Sequence, residues 1–362
     1  MLPFLIMGRR IMRKKARTRR KGNPGLFDEP TRLEKLTMQK DPLVKLLQFV
    51  DFELFRETLT RALSTESKGP GGAPPYDYVL MFKILILQRL YNLSDDRMEF
   101  HILDRMSFMR FLGLDLCDSV PDSKTIWLFR EKLTKAGAAK ELFDRVALIL
   151  AGKGLTMTEG TMIDASFVEA PKQRNTRDEN KKIKEGEMPE GWEEKQNMLR
   201  QKDLDARWTK KNNESHYGYK DHVKVNAKSK LIEAFEVTDA SVHDSQTVDD
   251  LTGEADEGRE LHADSAYTGK PIEEILAAKK ITPQINEKGY KNNPLTGEQK
   301  QNNRTKSKTR ARVEHVFGYI ENSMNGSFIR SIGMMRAKTQ IALMNLTYNL
   351  MRCLQLNQRL TG

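Results

Sequence analysis

In the stretch KTRARVEHVFG at positions 308–318 a single carboxylate, Glu314, stands among Arg310, Arg312 and His315. A helix through this stretch places Arg310 and Glu314 one turn apart on one face and turns Val313, Val316 and Phe317 inward, leaving the acid at the edge of a core. An ordinary ion pair explains such spacing by itself and contributes only a few tenths of a kcal/mol. Two acids upstream change the reading. Asp164 lies in MTEGTMIDASFV at 157–168, and Asp264 lies towards the end of RELHADSAY at 259–267; both segments have strand character. Carboxylates are disfavoured in buried strands, so each needs a partner. Three acids gathered at one point repel one another, and divalent cations remove that repulsion. Hard oxygen donors suit Mg²⁺ or Mn²⁺, and two ions roughly 3.5 to 4 Å apart stabilise the attacking and leaving oxygens of an in-line phosphoryl transfer. Asp164, Asp264 and Glu314 are therefore candidate catalytic and metal-ligating residues. Two such ions are the expected cofactors, and phosphodiester chemistry on nucleic acid is the expected activity.

The elements that must position these acids follow from periodicity. Residues 1–40 read as a flexible basic arm, with Pro24, Gly25 and Pro30 breaking any helix. From Asp41 the spacing of Leu43, Leu46, Leu47 and Val50 is helical, and 76–91 is apolar around its circumference, as in a buried helix. Ser94 is expected to cap a helix running to about Leu112, Asp122 or Ser123 one to about Leu133, and 138–150 forms one more. Two capped helices joined by a Pro-containing connection fit either a helix-turn-helix reader or plain scaffold. Beyond Gly154 the pattern becomes strand-like. After the strand with Asp164, residues 172–214 hold twelve basic and ten acidic residues and few large apolar ones, the composition of a mobile insertion. A hairpin over 217–237 turns at 226–230, and Asp244 is placed to cap a short helix. The strand with Asp264, a helix opened by Pro271, a strand at 281–285, the Glu314 helix and a long closing helix over 337–360 complete the chain. This order fits an α/β fold: a ribonuclease H-like core, meaning a mixed sheet flanked by helices, preceded by an all-helical N-terminal domain. The expected divisions are an arm at 1–40, a helical DNA-binding domain at 41–153, and a catalytic domain at 154–362 with a polar insertion at about 171–215.

The formal charge of +11 is concentrated in two runs. Positions 9–21 hold nine basic residues and no acid, and 287–312 hold eight basic residues against two acids. Both runs suit a polyanion. The candidate DNA contacts are Arg13, Lys14 and Lys15 in the first, and Lys306, Lys308, Arg310 and Arg312, with the adjoining His315, in the second. Cys117 and Cys353 lack metal-ligand spacing and fit a reducing compartment, without a disulfide. The longest apolar run, 79–87, is interrupted by Lys83 and is too short to span a membrane. The apolar residues at 1–7 precede the basic run, the reverse of a secretory signal, so a cytoplasmic, nucleoid-associated protein with no membrane partner is expected.

MIDASFVEAP around Asp164, YGYKDH at 217–222, HADSAY around Asp264 and RARVEHVFG around Glu314 occur in an order that resembles the DDE transposases of bacterial insertion sequences, in the insertion-sequence-five group. The resemblance covers about 41–355. It implies Asp164, Asp264 and Glu314 as ligands of two Mg²⁺ or Mn²⁺ ions, and Arg310 as the arginine four residues before the catalytic Glu. It also implies element ends and target DNA as partners, with a homodimer or higher oligomer assembled on DNA. The family pattern has Tyr three residues before that Arg and Lys seven after the Glu, where this chain has Ser307 and Glu321. A nuclease of the same fold that never joins strands, and a catalytically silent DNA-binding derivative, are the alternatives.

Overall fold

The computed structural model describes residue 25 and residues 27–64, 74–152, 160–211, 213–290 and 293–361. The chain divides into a unit at 1–40 and a unit at 41–362. In the first, the described part holds a helix, α1 (Asp28–Met38), where an irregular arm was expected. Pro30 falls in its first turn, whose N–H groups need no intrahelical acceptor, so it does not break the helix. α1 buries no residue.

The second unit begins with helices whose starts are set by side-chain caps: α2 (Pro42–Phe49, Asp41), α4 (Tyr78–Leu90, Asp77), α5 (Asp95–Asp104, Ser94) and α7 (Ser123–Lys135, Asp122), with α3 (Arg56–Leu63), α6 (Met106–Leu112) and α8 (Ala139–Gly152) between and after them. α4 is buried on nearly every side, as its composition requires. The helix expected over 94–112 is two helices. Arg105 is extended at the break and lies over the rings of Tyr91 and Phe108. α5 and α7 are thus separated by α6 and a loop, which is not the tight turn of a helix-turn-helix pair.

Six strands form one mixed sheet: β1 (Thr161–Glu169), β2 (Arg207–Lys211), β3 (Glu214–Asn226), β4 (Ile232–Asp239), β5 (Glu260–Ala263) and β6 (Thr282–Ile285). β4, β3 and β1 are antiparallel neighbours; β5 and β6 continue the sheet parallel to β1, the ribonuclease H-like arrangement. β2 pairs with the first residues of β3. One sheet face shares a continuous core with the N-terminal helices, α14 (Glu314–Met324) and α15 (Met334–Thr361). α11 (Val248–Leu251) and α12 (Lys270–Ala278) build a smaller core on Ile163, Leu261 and Ala263.

The polar segment after β1 is ordered where mobility was expected. It forms α9 (Arg177–Lys184), α10 (Gln196–Leu199) and β2, buries Ile183 and Trp192, and seats the buried Asp203 against the Tyr219 hydroxyl at 2.8 and 2.9 Å. A few buried anchors suffice because the rest of the segment hydrogen-bonds locally. Asp244 is not the helix cap that was expected. His243 takes that position, and Asp244 accepts from Lys220 Nζ at 2.7 Å.

β3 carries Asp221 into the core against α15, where Asn345 Nδ2 donates to it at 3.0 Å and Asn345 Oδ1 has no partner. Burial pushes the Asp221 carboxyl up to about 7, against the pull of that hydrogen bond. The folded state therefore keeps a proton that the unfolded chain releases near 3.8, and stability falls as pH rises from there to about 7, then levels off. Asp221→Asn removes this dependence. Thermal unfolding of the variant should match the parent near pH 5 and exceed it at pH 8 by on the order of 1 kcal/mol or more. A variant less stable at pH 8 would contradict the assignment.

Candidate active site

β1 and β5 run parallel with Thr161 level with Leu261 and Met162 with His262. The ladder ends there; Asp164 lies two residues further along β1, Asp264 two residues past His262, and the Asp264 charge acts on Asp164. Asp164 lies inside β1, while Asp264 lies one residue past β5, where its side chain caps a 3-10 turn by accepting from Ala266 N at 2.8 Å. Asp164 is mostly buried, and its carboxyl is raised above the usual range: burial is the largest cause, and the Asp264 charge adds to it. The Ala165 N–H and the Arg310 and Lys211 charges oppose the shift.

Arg310 is the last residue of α13 (Gly297–Arg310), and Glu314 is the first of α14. The continuous helix expected over 308–318 is therefore broken by a turn at 311–313. Val313 and Val316 drop into the core beside the same sheet face as Met162 and Val168, and this insertion fixes the turn. One fork of the Arg310 guanidinium donates to Asp164 Oδ2 at 3.1 Å, and the other lies 3.6 Å from Glu314 Oε1. Glu314 is 65% exposed, whereas Asp164 is 16% exposed, so the buried acid is the one that needs the cation. The simple ion pair between Arg310 and Glu314 is present, but it is the longer of the two contacts.

Among the described residues no three His, Cys, Asp or Glu side chains come close enough together to hold a metal ion. Asp164 and Asp264 nonetheless fit one: both are hard oxygen donors, and the burial of the Asp164 carboxylate is not fully compensated by its protein partners. Glu314 is held off by the Arg310 fork. Beside the two aspartates, Tyr267 buries its hydroxyl with no partner among the described residues while Asp164, Asp244 and Asp264 act on it, and its phenol is pushed well above the usual range, chiefly by burial. Arg310 Nε is likewise buried without a partner. Tyr267 stands in HADSAY, where the sequence alone assigns it no role of its own; the buried hydroxyl is the signal that draws notice to it.

The basic residues of this region divide. Lys306 Nζ donates to Ile285 O at 2.9 Å and Arg312 to Ala227 O at 3.0 Å, so both are engaged in holding backbone. Lys308 is exposed on α13, which buries no residue. His315 is exposed beside a cavity of about 310 Å³ bordered by Tyr319, Tyr348 and Arg352. Ser307 accepts from Asn286 Nδ2 at 3.0 Å, tying α13 to the end of β6. Arg13, Lys14 and Lys15 lie outside the described residues.

The family described as Transposase DDE domain matches residues 156–350. The chain belongs to this family. Residues 31–132 match a second family, Transposase domain (DUF772). The chain is also similar to piggyBac transposase in a cryo-EM structure of its synaptic complex with hairpin DNA, at 13% identity and a TM-score of 0.43, over 89% of this chain and 76% of that one. In this transposase no described helix is long and apolar enough to cross a membrane.

If the Arg310 fork compensates buried Asp164, then Arg310→Gln leaves that carboxylate unpaired and should cost about 1 to 3 kcal/mol in metal-free buffer near pH 7. Asp164→Asn added to it should recover most of the loss. Urea unfolding of the two variants in EDTA checks this, and an Arg310→Gln variant as stable as the parent would show that the contact carries no weight.

Proposed function

We propose that this transposase mobilises an insertion sequence of the insertion-sequence-five kind. It binds the terminal inverted repeats of its own element, cuts the 3′ strands by metal-assisted hydrolysis, and joins the freed 3′ ends to target DNA. The observation that carries the reading is the placement of Asp164 inside β1 and of Asp264 just past the neighbouring parallel strand β5, with Arg310 joining Asp164 to Glu314. The domain division at 1–40, 41–153 and 154–362 belongs to the same proposal, as do assembly of a dimer or higher oligomer on DNA and a nucleoid-associated location.

Asp164, Asp264 and Glu314 would hold two Mg²⁺ or Mn²⁺ ions, which neutralise the acids and supply Lewis acidity to the phosphodiester. The protein's own groups do the rest. The Arg310 fork, which lies between Asp164 and Glu314, would donate to a non-bridging phosphate oxygen, where its two donors fix the scissile bond in place. The Tyr267 hydroxyl, free of protein partners, donates into the same space. Exposed Lys308 and its neighbours on α13 hold the flanking backbone through charge.

Asp164→Asn, Asp264→Asn and Glu314→Gln should each lower single-turnover cleavage of element ends by at least about a thousandfold, because each removes an oxygen donor from a shared site, while duplex binding changes little. Arg310→Lys should also be impaired, since an ammonium cannot reproduce the fork. The decisive assay supplies element ends and a target plasmid with Mg²⁺ and looks for joined products. Near-normal cleavage by an acid variant would remove that residue from the site. Hydrolysis that never yields joined strands would reduce the protein to a nuclease.

A further inference from the structure

A second basic centre lies away from the three acids. A recess of about 340 Å³ is bordered by Arg89 of α4, Arg130 and Trp127 of α7, Arg200 after α10, Arg330, and Arg336 of α15. Five guanidinium groups meet there, against two carboxylates, Asp95 and Glu131. Both acids are committed. Asp95 accepts two bonds from Arg130 at 2.7 Å each, and Glu131 accepts two from Arg336 at 2.7 and 2.8 Å. Arg330 donates to a neutral acceptor, Asn92 Oδ1, at 2.6 Å and lies over the Phe328 ring, 5.9 Å from its centroid. Among the described residues, the Arg89 and Arg200 side chains have no hydrogen bond or ion pair. Burial, with the charges of Arg130 and Arg330, pushes the Arg89 guanidinium down to about 9, Asp95 opposing. A largely buried cation among like charges is costly unless an anion joins it. Guanidinium forks match the geometry of a phosphate.

We propose that this recess binds a backbone phosphate of DNA through Arg89, Arg200 and Arg330, at a point separate from the cleavage site. The inference rests on the transposase reading above and adds a location to it. Arg130 and Arg336, pinned by their acids, shape the recess, while Trp127, 47% exposed at its rim, offers an apolar surface to the sugar. The chain path links the two sites. β1 runs from Asp164 to Glu169, roughly 17 Å at a strand's rise. Glu169 then hydrogen-bonds Ser327 and Ile329, and Arg330 follows. A duplex end gripped in the recess is thus connected through one rigid strand to the acids. The four segments that build the recess come from the helical region, the polar insertion and the start of α15. The otherwise polar insertion therefore has a task in holding DNA.

The test measures binding of a fluorescent element-end duplex in EDTA, where no cleavage occurs, across about 50 to 200 mM salt. Arg89→Gln and Arg200→Gln should each weaken binding by about tenfold and lower the salt slope by about one. Arg200→Gln is a surface change that leaves folding untouched and so keeps the test valid if Arg89→Gln fails to fold. Parent-like affinity and slope for Arg200→Gln, together with parent-like values for Arg89→Gln where it folds, would overturn the recess and leave the transposase reading standing. A parent that binds no duplex would overturn both. The remaining arm is thermal unfolding with inorganic phosphate alone. Stabilisation that Arg89→Gln abolishes, with duplex binding unchanged, would assign the recess to a free phosphate and overturn the DNA assignment.

Discussion

A carboxylate buried in a strand must be compensated, and in this protein Arg310 compensates Asp164 from the end of a helix that starts far away in sequence. The pairing constrains much of the catalytic unit. α13 must end at the sheet's central strand, which it does because Lys306 binds the Ile285 carbonyl, Ser307 meets Asn286, and Asn303 exchanges bonds with the backbone of Glu287. The chain must then turn so that Val313 and Val316 enter the core, which places Glu314 on the other fork of the same guanidinium. A single cation thus organises two acids.

The opposite face of the sheet supports the pairing of β1 with β5 that leads to Asp164 and Asp264. Lys224 reaches the fully buried Asp256 at 2.6 Å, and Arg259 binds Glu233 at 2.8 Å and Asp256 at 3.2 Å, a closed set of charges that pins the approach to β5. Each charge is desolvated, and each has an opposite partner, so the group specifies position more than it stabilises. At the other end of β1, Gly218 has φ +147°, and a Cβ there would lie 2.4 Å from the Val168 carbonyl oxygen. Only glycine lets β3 cross so near. Slippage of β3 by one residue would exchange the two faces, burying Lys220 and Lys224 in the apolar core.

Local signals were the readable ones. Asp164 announces itself as an acid in an apolar run, Asp264 as an acid at a strand end, and the capped helices at 42, 95 and 123 start where Asp41, Ser94 and Asp122 say they should. Features decided by tertiary contact were hidden. Nothing in KTRARVEHVFG marks the break between Arg310 and Glu314, because it is made by two valines finding the core. Nothing in the composition of 172–214 reveals that Trp192 and Asp203 are buried. Arg105 splits a helix without Gly or Pro, and the five-arginine recess gathers side chains more than 240 positions apart in sequence, from Arg89 to Arg336. Tyr267 carries no role in the sequence pattern until its buried hydroxyl is found without a partner among the described residues.

The central claim is that Arg310 and a divalent cation compete for the same carboxylates. Mn²⁺ binding to the DNA-free protein, followed by the electron paramagnetic resonance of the unbound ion, tests it directly. Removing the positive charge by Arg310→Gln should tighten Mn²⁺ binding several-fold, about 1 kcal/mol in favour of the ion, while Asp164→Asn in the same background should abolish the gain. Equal or weaker Mn²⁺ binding by Arg310→Gln would show that the guanidinium does not occupy the metal's place, and the account of the site would fail.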